Sequence, residues 1–563
     1  MNRFARRAGV GAAAGGLAST ALLLTLAPSP WSILTGMMVG VGFALTMPPQ
    51  RDAWVDNLMA AAALGIPAWG LFSVIAAPMV HWRMQVWGSE QMRAMFPSLV
   101  GWIVYGGALG LLVQGFDNLA ARLWGPEAQP AIPGSGKTIK IVILGGGFAG
   151  MTTAQCLEEQ FGENASVCIT LVSETNALLF TPMLAEVAGS SLDPSHISPP
   201  LRSSLHRTDF LRGRVENIDL QRKVVKVGSI SGTASEIAYD HVVLALGGVS
   251  NYLGMANVEK LAFNFKSLLD AIRIRNHIIE MFERADRETD PATRQSLLTF
   301  VIAGGGFAGV ELAGALNDFA HGILADYPNL RPEVLSTVLV HARDVILPEL
   351  SESLGRYAQR KMEARGVKFR LNARLTDAEP GQVFLSDGTI QASTLVWTAG
   401  TAPNPLVKAL PMETDRRGAI RVDHTLAVPG HPGVWALGDC AAVMDAKTGN
   451  PCPPTAQFAI REAGLLAKNI RAEVEGKPKK AFHFDSLGAL CVIGHQTACA
   501  ELTVPFARTK TMQFSGLLAW LMWRGIYLGK LPGLERKLRV AINWTIELFF
   551  PRDIVQTIDL KGE

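Results

Sequence analysis

A glycine-rich turn that occurs twice is the feature that most constrains the fold of this chain. "IVILGGGFAG" begins at Ile141, and "FVIAGGGFAG" begins at Phe300. Each copy fits Gly-x-Gly-x-x-Gly, follows a short apolar run typical of a buried parallel strand, and precedes a helix pattern. In that setting the first glycine allows a tight turn, the second lets a pyrophosphate approach, and the third lets helix and strand pack closely. The sequence therefore predicts two dinucleotide sites, although one such turn alone can be bare structure.

The helix after each turn offers unpaired N–H groups and its positive dipole end to phosphates. The predicted cofactor-binding residues of the two turns are Gly145, Gly147, Phe148, Ala149 and Gly150, and Gly304, Gly306 and Gly309. From residue 139 onward, alternating strand and helix patterns predict a parallel α/β organisation.

One residue follows the second strand of each nucleotide unit at the position that faces a ribose. Glu174 follows the strand at 167–173, where a carboxylate can accept hydrogen bonds from a ribose diol. An ordinary acid in a solvated loop fits the same pattern. The second unit ends "VLVHARD", so His341 takes the corresponding place, followed by Arg343. Because that surface tolerates a 2′-phosphate better than an acid would, NADH and NADPH both stay open.

The first 125 residues are hydrophobic. Apolar stretches lie at 9–27, 31–47, 56–80 and 96–120, each near the roughly 20 residues that cross a bilayer. Arginines ahead of the first stretch favour a cytoplasmic N-terminus. We predict four crossings and a multi-pass protein of the inner (cytoplasmic) membrane, with its catalytic part facing the cytoplasm. A cleaved signal peptide, or two or three crossings, are the alternatives.

Later motifs indicate which family the chain resembles. They are "YDHVVLALGG" (239–248), "STLVWTAGTAPN" (393–404), "GVWALGDCA" (433–441) and "PPTAQFAIREAG" (453–464). With the two glycine turns, this set resembles the flavoproteins with two dinucleotide domains, the pyridine nucleotide-disulfide oxidoreductase-like family. Within that family it is most similar to type II NADH dehydrogenases, the single-chain, non-pumping NADH:quinone oxidoreductases. Residues 1–125 lie outside the resemblance.

The resemblance implies which cofactor each turn holds. FAD, bound non-covalently, would occupy the first turn, and NADH or NADPH would be the co-substrate at the second. Gly438 and Asp439 would contact FAD, with Gly400 and Ala456 beside it.

Two candidate catalytic residues also follow from the resemblance. Glu311 falls where the family places an acid near the nicotinamide and the flavin, although an exposed acid in a helix's first turn fits the same position. Gln457 corresponds to the first glutamine of a family stretch beside the flavin and the quinone pocket. Arg461 stands where the family has a second glutamine, which leaves quinone contacts on this helix open.

The C-terminal stretch 514–553 predicts two helices separated by Pro532 and Gly533. An apolar face and flanking cations favour an amphipathic anchor on the membrane surface, with Trp520, Trp523 and Trp544 in an interfacial belt. A helix packed on the protein's own core or on a dimer partner is the alternative. The cations are Lys530, Arg536, Lys537 and Arg539.

The fold prediction is therefore two Rossmann-like domains between an α-helical transmembrane module and a membrane-associated helical C-terminus. The predicted boundaries are 1–125 for the transmembrane module, 126–138 for a linker, 139–250 and 386–478 for the FAD domain, 251–385 for the NAD(P)H domain, and 479–563 for the C-terminal anchor.

The implied activity is hydride transfer from NADH to FAD and then transfer of two electrons to a membrane quinone of a respiratory chain. The lipid bilayer is the other expected partner, and a homodimer is compatible. An NAD(P)H-dependent flavoprotein reductase of another carrier and a redox-sensing membrane flavoprotein are the alternatives. A net charge of +3 gives no sign of nucleic-acid binding. Six cysteines without a C-x-x-C pair predict no metal site and no dithiol centre.

Overall fold

The computed structural model describes most of the chain in two compact units, Met1–Pro130 and Ala131–Glu563. The described residues are 3–20, 22, 30–46, 54–69, 72–73, 96–124, 138–162, 164, 166–228, 234–504, 507–547 and 550–556. The predicted linker lies outside them except for Thr138.

The first unit consists of helices. They are α1 (Arg3–Ala18), α2 (Pro30–Thr46), α3 (Trp54–Trp69) and α4 (Phe96–Trp124). Small residues bring their backbones into contact, since a Cβ on Gly15 would lie 2.3 Å from the Gly36 oxygen and one on Gly106 would lie 2.2 Å from the Ala61 oxygen. Close packing through small residues is typical of helices in membranes.

The prediction of four crossings is not confirmed. Within the ranges that the structure describes, one helical segment, Pro97–Ala120, is long and apolar enough to span a bilayer, and Ile33–Leu45 is apolar but shorter. Residues 70–71 and 74–80 of the predicted third stretch lie outside the described residues. An ion pair lies inside this unit: the Arg6 guanidinium, 7% exposed, is 3.4 Å from the Asp117 carboxylate.

The second unit is built on strands and helices that alternate. Its strands are β1 (Ile139–Leu144), β2 (Val167–Ser173), β3 (Asp209–Arg212), β4 (Arg214–Asp219), β5 (Val224–Gly228), β6 (Ala234–Ala238), β7 (His241–Leu244), β8 (Gly248–Ser250), β9 (Phe263–Asn264), β10 (Thr299–Ala303), β11 (Ser336–Val340), β12 (Lys368–Arg370), β13 (Leu375–Glu379), β14 (Gln382–Leu385), β15 (Gly388–Gln391), β16 (Thr394–Trp397), β17 (Thr401–Pro403), β18 (Ile420–Arg421), β19 (Val434–Ala436), β20 (Ala441–Ala442), β21 (Gly488–Val492), β22 (Ala498–Val504) and β23 (Ala507–Ser515). Its helices are α5 (Phe148–Phe161), α6 (Leu184–Ala188), α7 (Ala256–Leu261), α8 (Leu268–Arg287), α9 (Pro291–Leu297), α10 (Phe307–Ile323), α11 (Glu352–Glu363), α12 (Ala456–Val474), α13 (Gly516–Lys530) and α14 (Leu534–Ile546).

Two five-stranded parallel sheets carry the two glycine turns. The first has the order β19-β7-β1-β2-β3 and the second β12-β11-β10-β16-β9. In each sheet the first strand of the nucleotide unit is central and leads through the turn into a helix, α5 or α10. The prediction of two α/β dinucleotide-binding folds is confirmed.

The chain crosses between the two sheets through β8 and β17, which pair antiparallel. One predicted boundary is wrong: β16, assigned from sequence to the second part of the first domain, pairs with β10 in the second sheet. A buried apolar strand such as β16 suits either sheet, because its sequence does not indicate which neighbouring strand it pairs with.

The C-terminal segment forms the sheet β21-β22-β23 with α13 and α14 packed beside it. The two predicted helices are present. The prediction that Trp520, Trp523 and Trp544 form an interfacial belt is wrong, because their side chains are 6%, 1% and 5% exposed and belong to the core. The exposed apolar side chains are instead Leu517, Leu518, Leu521, Leu538, Ile542, Ile546 and Phe550.

Candidate active site

The first glycine turn joins β1 to α5. Gly145 has φ of +109°, and a Cβ there would lie 2.2 Å from the Ala245 oxygen. A Cβ on Gly150 would lie 1.8 Å from the Gly145 oxygen, so helix and strand are in direct contact. Gly147 is different, because no heavy atom lies within 4 Å of its Cβ position. Of the three glycines of the motif, the fold therefore requires Gly145 and Gly150, and Gly147 faces open space.

The second turn, between β10 and α10, repeats this geometry. Gly304 has φ of +125°, and a Cβ on Gly309 would lie 1.8 Å from the Gly304 oxygen. The Cβ position of Gly306 meets only a side chain, with the Glu349 Oε1 atom 2.9 Å away. Burial raises the pKa of Glu349. A carboxylate thus lies at the mouth of the second turn, a feature that the sequence analysis missed.

Different residues close the second strands. The Ser173 hydroxyl lies under the first turn, 2.6 Å from a Cβ on Gly146. The Glu174 carboxylate is directed away, with its Oε1 atom 3.1 Å from Arg214 Nε, and its side chain is 59% exposed. The structure thus brings Ser173, rather than the Glu174 side chain, against the turn.

His341 lies under the second turn in the place that Ser173 takes under the first. The Gly305 N–H donates to His341 Nδ1 at 3.1 Å. The ring proton is then on Nε2, which is buried and has no hydrogen-bond partner among the described residues. Burial and then Arg343 lower the pKa of His341, so the ring is neutral near pH 7.

The third element of the first site is the short helical turn Gly438–Cys440. Gly438 has φ of +69°, and its Cβ position is 3.3 Å from the Ala149 Cβ and 3.8 Å from the Ala459 Cβ. The start of α5, this turn and the start of α12, with Ala456, therefore converge. Gly400 has a different surrounding: a Cβ there would lie 2.7 Å from the Asn251 oxygen in the crossover.

Two side chains around Asp439, Lys266 and Glu462, were not predicted from the sequence. Lys266 Nζ donates to the Gly248 oxygen at 3.1 Å and lies 3.9 Å from Asp439 Oδ2. The buried Glu462 accepts the Gly438 N–H at 2.8 Å. Burial raises the pKa of Glu462 to about 7 and also raises that of Asp439. A sequence signal for Glu462 existed only in the helix period that places it on the buried face of α12.

Gln457 and Glu311, the two candidate catalytic residues, fix opposite ends of β21. Gln457 donates from Nε2 to the Gly488 oxygen at 3.2 Å and accepts the Leu487 N–H at 3.1 Å. The Val492 N–H donates to Glu311 Oε1 at 3.3 Å. Residues 488 and 492 are about 13 Å apart along a strand. The structure does not place the two side chains in contact, but it joins both to the same strand.

Glu311 shares a small cavity with a second acid, Glu186 of α6. The Trp544 indole donates to Glu186 Oε2 at 3.1 Å. Burial raises the pKa of both carboxyls, and the charge of Glu186 raises the pKa of Glu311 further. Glu311 is partly buried and lines this cavity, so it is not the exposed first-turn acid of the alternative.

A line of aromatic rings connects the first turn to the C-terminal helices. Phe148 packs on Phe180 with 5.8 Å between centroids, Phe180 on Tyr527 at 6.2 Å, and Tyr527 on Trp523 at 5.0 Å. The Arg461 guanidinium lies 5.3 Å from the centre of the Phe484 ring.

The cysteines include one pair that the sequence could not show. Cys491 and Cys499 are directly opposite on β21 and β22. Burial raises the pKa of both thiols, which disfavours the thiolate that redox exchange needs. In the described part of the chain no cluster of three or more His, Cys, Asp and Glu side chains could hold a metal ion.

Residues 139–463 match the family model described as pyridine nucleotide-disulphide oxidoreductase, and residues 487–553 match that of the NDH2 C-terminal domain. The type II NADH:quinone oxidoreductase Ndh of Mycobacterium tuberculosis is 31% identical over 443 residues, 76% of this chain and 90% of the relative. The external alternative NADH-ubiquinone oxidoreductase of Yarrowia lipolytica is 28% identical and covers 76% of this chain and 82% of the relative. Among solved structures, NDH2 of Plasmodium falciparum in complex with NADH superposes with a TM-score of 0.68 at 18% identity, covering 74% of this chain and all of that one.

The fold and the paired turns thus define a flavoprotein of the two-dinucleotide-domain class. The chain belongs to the pyridine nucleotide-disulphide oxidoreductase family, and within it to the type II NADH:quinone oxidoreductases.

Proposed function

We propose that this protein is an FAD-dependent, non-proton-pumping NADH:quinone oxidoreductase. The observation that carries the proposal is the paired turn geometry: in each copy the first and third glycines are held by backbone contacts, and the Cβ position of the second is free of backbone. A pyrophosphate needs that free approach together with the helix N-terminus. The names of the relatives support NADH as donor and quinone as acceptor.

The residues of the first site fit FAD. The open face at Gly147, the start of α5 and the turn at Gly438 meet in one place, and Asp439 and Lys266 lie at its edge. FAD supplies the two-electron chemistry that side chains lack. We assign Ser173 and Glu174 to the ribose end of this site, as the pair that closes β2.

The second site fits a nicotinamide dinucleotide. His341 lies under the second turn, and its neutral ring does not repel a 2′-phosphate as a carboxylate would, so NADPH stays open beside NADH. Glu311 lies in the first turns of α10, from which its carboxyl can hold a proton near the reacting rings, and Gln457 positions β21 from the other side.

The exposed apolar side chains of α13 and α14 support membrane association. Leu521 and Ile542 are 54% and 57% exposed, and the cations Lys530 and Arg536 flank them. Such a surface binds the boundary of an anionic bilayer, where a lipophilic quinone resides. We also propose that the first unit is embedded in the membrane and that the catalytic unit faces the cytoplasm. A homodimer is compatible with this arrangement.

The domain arrangement we propose keeps the sequence boundaries with one change. A membrane module precedes an FAD domain in two parts, which surrounds an NAD(P)H domain extended to Trp397, and the C-terminal anchor follows.

Steady-state kinetics test the proposal against its alternatives. Purified protein in vesicles is supplied with NADH and either a short-chain quinone or a soluble ferredoxin, and a reductase of another carrier would prefer the protein acceptor. Quinone turnover that fails while the flavin is still bleached by NADH would contradict the assignment of the acceptor. A redox sensor predicts slow turnover with both acceptors.

A further inference from the structure

A surface cavity of about 390 Å³ lies between α10 and the segment that follows α14. Its volume is typical of a site for a small molecule or a head group. The residues assigned above to the two dinucleotide sites do not line it, so the proposed redox chemistry gives it no role. Its polar and charged lining comes from α10 and from later segments: Asn317, Asp318, His321, Arg365, Glu547 and Arg552.

The charged groups of the cavity are already paired with one another. Arg365 Nη2 donates to Asp318 Oδ1 at 2.6 Å, and Arg552 Nη2 donates to Glu547 Oε1 at 2.9 Å. The two guanidinium groups and the two carboxylates therefore balance. A ligand that is only an anion or only a cation would gain little here, whereas a zwitterion can place each of its charges beside the opposite one.

Two acceptor atoms of α10 are left for a ligand. Asn317 is 3% exposed, and its buried Oδ1 atom has no hydrogen-bond partner among the described residues. Its amide is fixed, because Nδ2 donates to the Arg365 carbonyl oxygen at 3.0 Å. His321 Nδ1 donates to the Asn317 carbonyl oxygen at 2.8 Å, which leaves Nε2 as an acceptor in the neutral ring. Since buried polar atoms are normally hydrogen-bonded, a ligand that fits this cavity brings N–H donors.

Arg365 offers the opposite function. Its Nη1 atom donates to the His495 carbonyl oxygen at 3.0 Å and its Nη2 atom to Asp318. The Arg365 side chain is 30% exposed, so its other N–H groups are accessible. A guanidinium group matches the oxygens of a phosphate. The cavity therefore suits a primary ammonium on the side of α10 and a phosphate at Arg365.

A row of exposed apolar side chains leads along α14 to the rim of the cavity. Its members are four residues apart and between 44% and 65% exposed: Leu538, Ile542, Ile546 and Phe550. The Phe550 N–H donates to the Ile546 oxygen at 3.0 Å, so the last member continues the helical spacing. Phe550 also lines the cavity. An apolar helix face of this kind lies at the boundary of lipid head groups and acyl chains, which puts the cavity at the depth of the head groups.

We infer that this cavity binds the head group of an aminophospholipid of the phosphatidylethanolamine type. The primary ammonium donates to Asn317 Oδ1 and His321 Nε2, and the phosphate accepts from Arg365. The acyl chains leave past Phe550 into the bilayer. The inference rests on the membrane association in the proposed function and is independent of its redox chemistry.

Native mass spectrometry of the full-length, FAD-bound protein in detergent measures the binding of lipids that share their acyl chains and differ in head group. Phosphatidylethanolamine is compared with phosphatidylcholine, whose trimethylammonium has no N–H donor, and with phosphatidylglycerol, which has a phosphate but no ammonium. Ethanolamine phosphate without acyl chains is the soluble competitor. The variants are His321→Leu and Asn317→Leu, and the control is His424→Leu, which removes an exposed histidine outside the cavity.

The wild type should bind phosphatidylethanolamine at least roughly tenfold more tightly than either other lipid, the factor that one hydrogen bond to a charged group supplies. His321→Leu and Asn317→Leu should each remove most of this preference without changing the affinity for phosphatidylcholine, and His424→Leu should match wild type. Because His321 is exposed, His321→Leu should fold as the wild type does, and it decides the test if Asn317→Leu is unstable.

Equal affinity of the wild type for the three lipids, or an unchanged preference in His321→Leu, would overturn the inference. Displacement of the lipid by an equal concentration of ethanolamine phosphate would also overturn it, because the occupant would then be a soluble compound. NADH:quinone turnover is measured on the same preparations. A wild type that keeps the lipid preference but reduces no quinone would support the inference and contradict the proposed function.

Discussion

Substituting the second glycine of the first turn should separate cofactor binding from folding. At Gly147 the backbone angles are −76° and −169°, an extended conformation that valine adopts readily, and no heavy atom lies within 4 Å of the Cβ position. Gly147 is the N-cap of α5, where valine is less favourable than glycine, so Gly147→Val should lower the free energy of unfolding of the flavin-free protein by only about 1 kcal/mol.

The cost to FAD should be much larger. The valine side chain would occupy the space through which a pyrophosphate approaches the helix N-terminus. Loss of two hydrogen bonds to charged oxygens, at about 1.5–3 kcal/mol each, amounts to roughly 3–6 kcal/mol. That raises the dissociation constant of FAD about 10²- to 10⁴-fold.

Two matched variants make the assay specific. Gly150→Ala places a Cβ 1.8 Å from the Gly145 oxygen, so it should destabilise the fold itself by at least about 1–3 kcal/mol. Gly306→Val meets only the movable Glu349 side chain, and it should keep FAD but lose flavin reduction by NADH. Flavin-to-protein absorbance ratios, urea unfolding and anaerobic NADH titration provide the three measurements. Retained flavin in Gly147→Val, or equal loss of flavin in both valine variants, would refute the assignment of the two turns.

Three further predictions concern other parts of the molecule. His341→Glu should increase the preference for NADH over NADPH, measured as the ratio of kcat/KM values, by roughly one to two orders of magnitude, because a carboxylate repels a 2′-phosphate. In the wild type, the use of NADPH should improve only below about pH 6.5, since the pKa of His341 is lowered. An unchanged ratio in the variant would remove His341 from the site. In the wild type, Glu462 has a pKa of about 7 in the folded state and 4.5 in the unfolded state. The folded state therefore holds an extra proton between these values, and the wild type should lose stability as pH rises from about 4.5 toward 7. Glu462→Gln should abolish that loss. Thermal melting from pH 4.5 to 8 measures the effect, which should reach about 1–3 kcal/mol, and parallel curves for both proteins would contradict it. Leu538→Glu combined with Ile542→Glu should release protein lacking residues 1–125 from anionic vesicles without unfolding it, because both side chains are exposed; continued sedimentation with vesicles would place the anchor elsewhere.

The two nucleotide folds were predictable because their requirements are local. Gly145 has a positive φ, and at Gly150 the helix contacts the strand too closely for a side chain. Both positions require glycine, and the glycines can be recognised in the sequence. The repeat at Gly304 and Gly309 then identified a second fold of the same kind. The candidates Glu311 and Gln457 came from resemblance, and the structure explains both as anchors of β21.

The rest depended on contacts between distant segments. Glu186 and Lys266 are ordinary residues in sequence, and only the fold brings them to Glu311 and Asp439. Helix periodicity found an apolar face on α14, but Trp544 packs on the opposite, buried side, beside Arg524. A pattern of three- and four-residue spacings does not tell which of two apolar surfaces meets the core. In the first unit, apolar composition alone could not set the number of crossings.

The central claim is that one chain passes electrons from NADH through bound FAD to a quinone. An anaerobic visible titration of the purified protein tests it most directly. The account predicts a flavin spectrum that one equivalent of NADH bleaches and one equivalent of a short-chain quinone restores. A protein without flavin absorbance, or a flavin that NADH bleaches and quinone does not restore, would contradict the account.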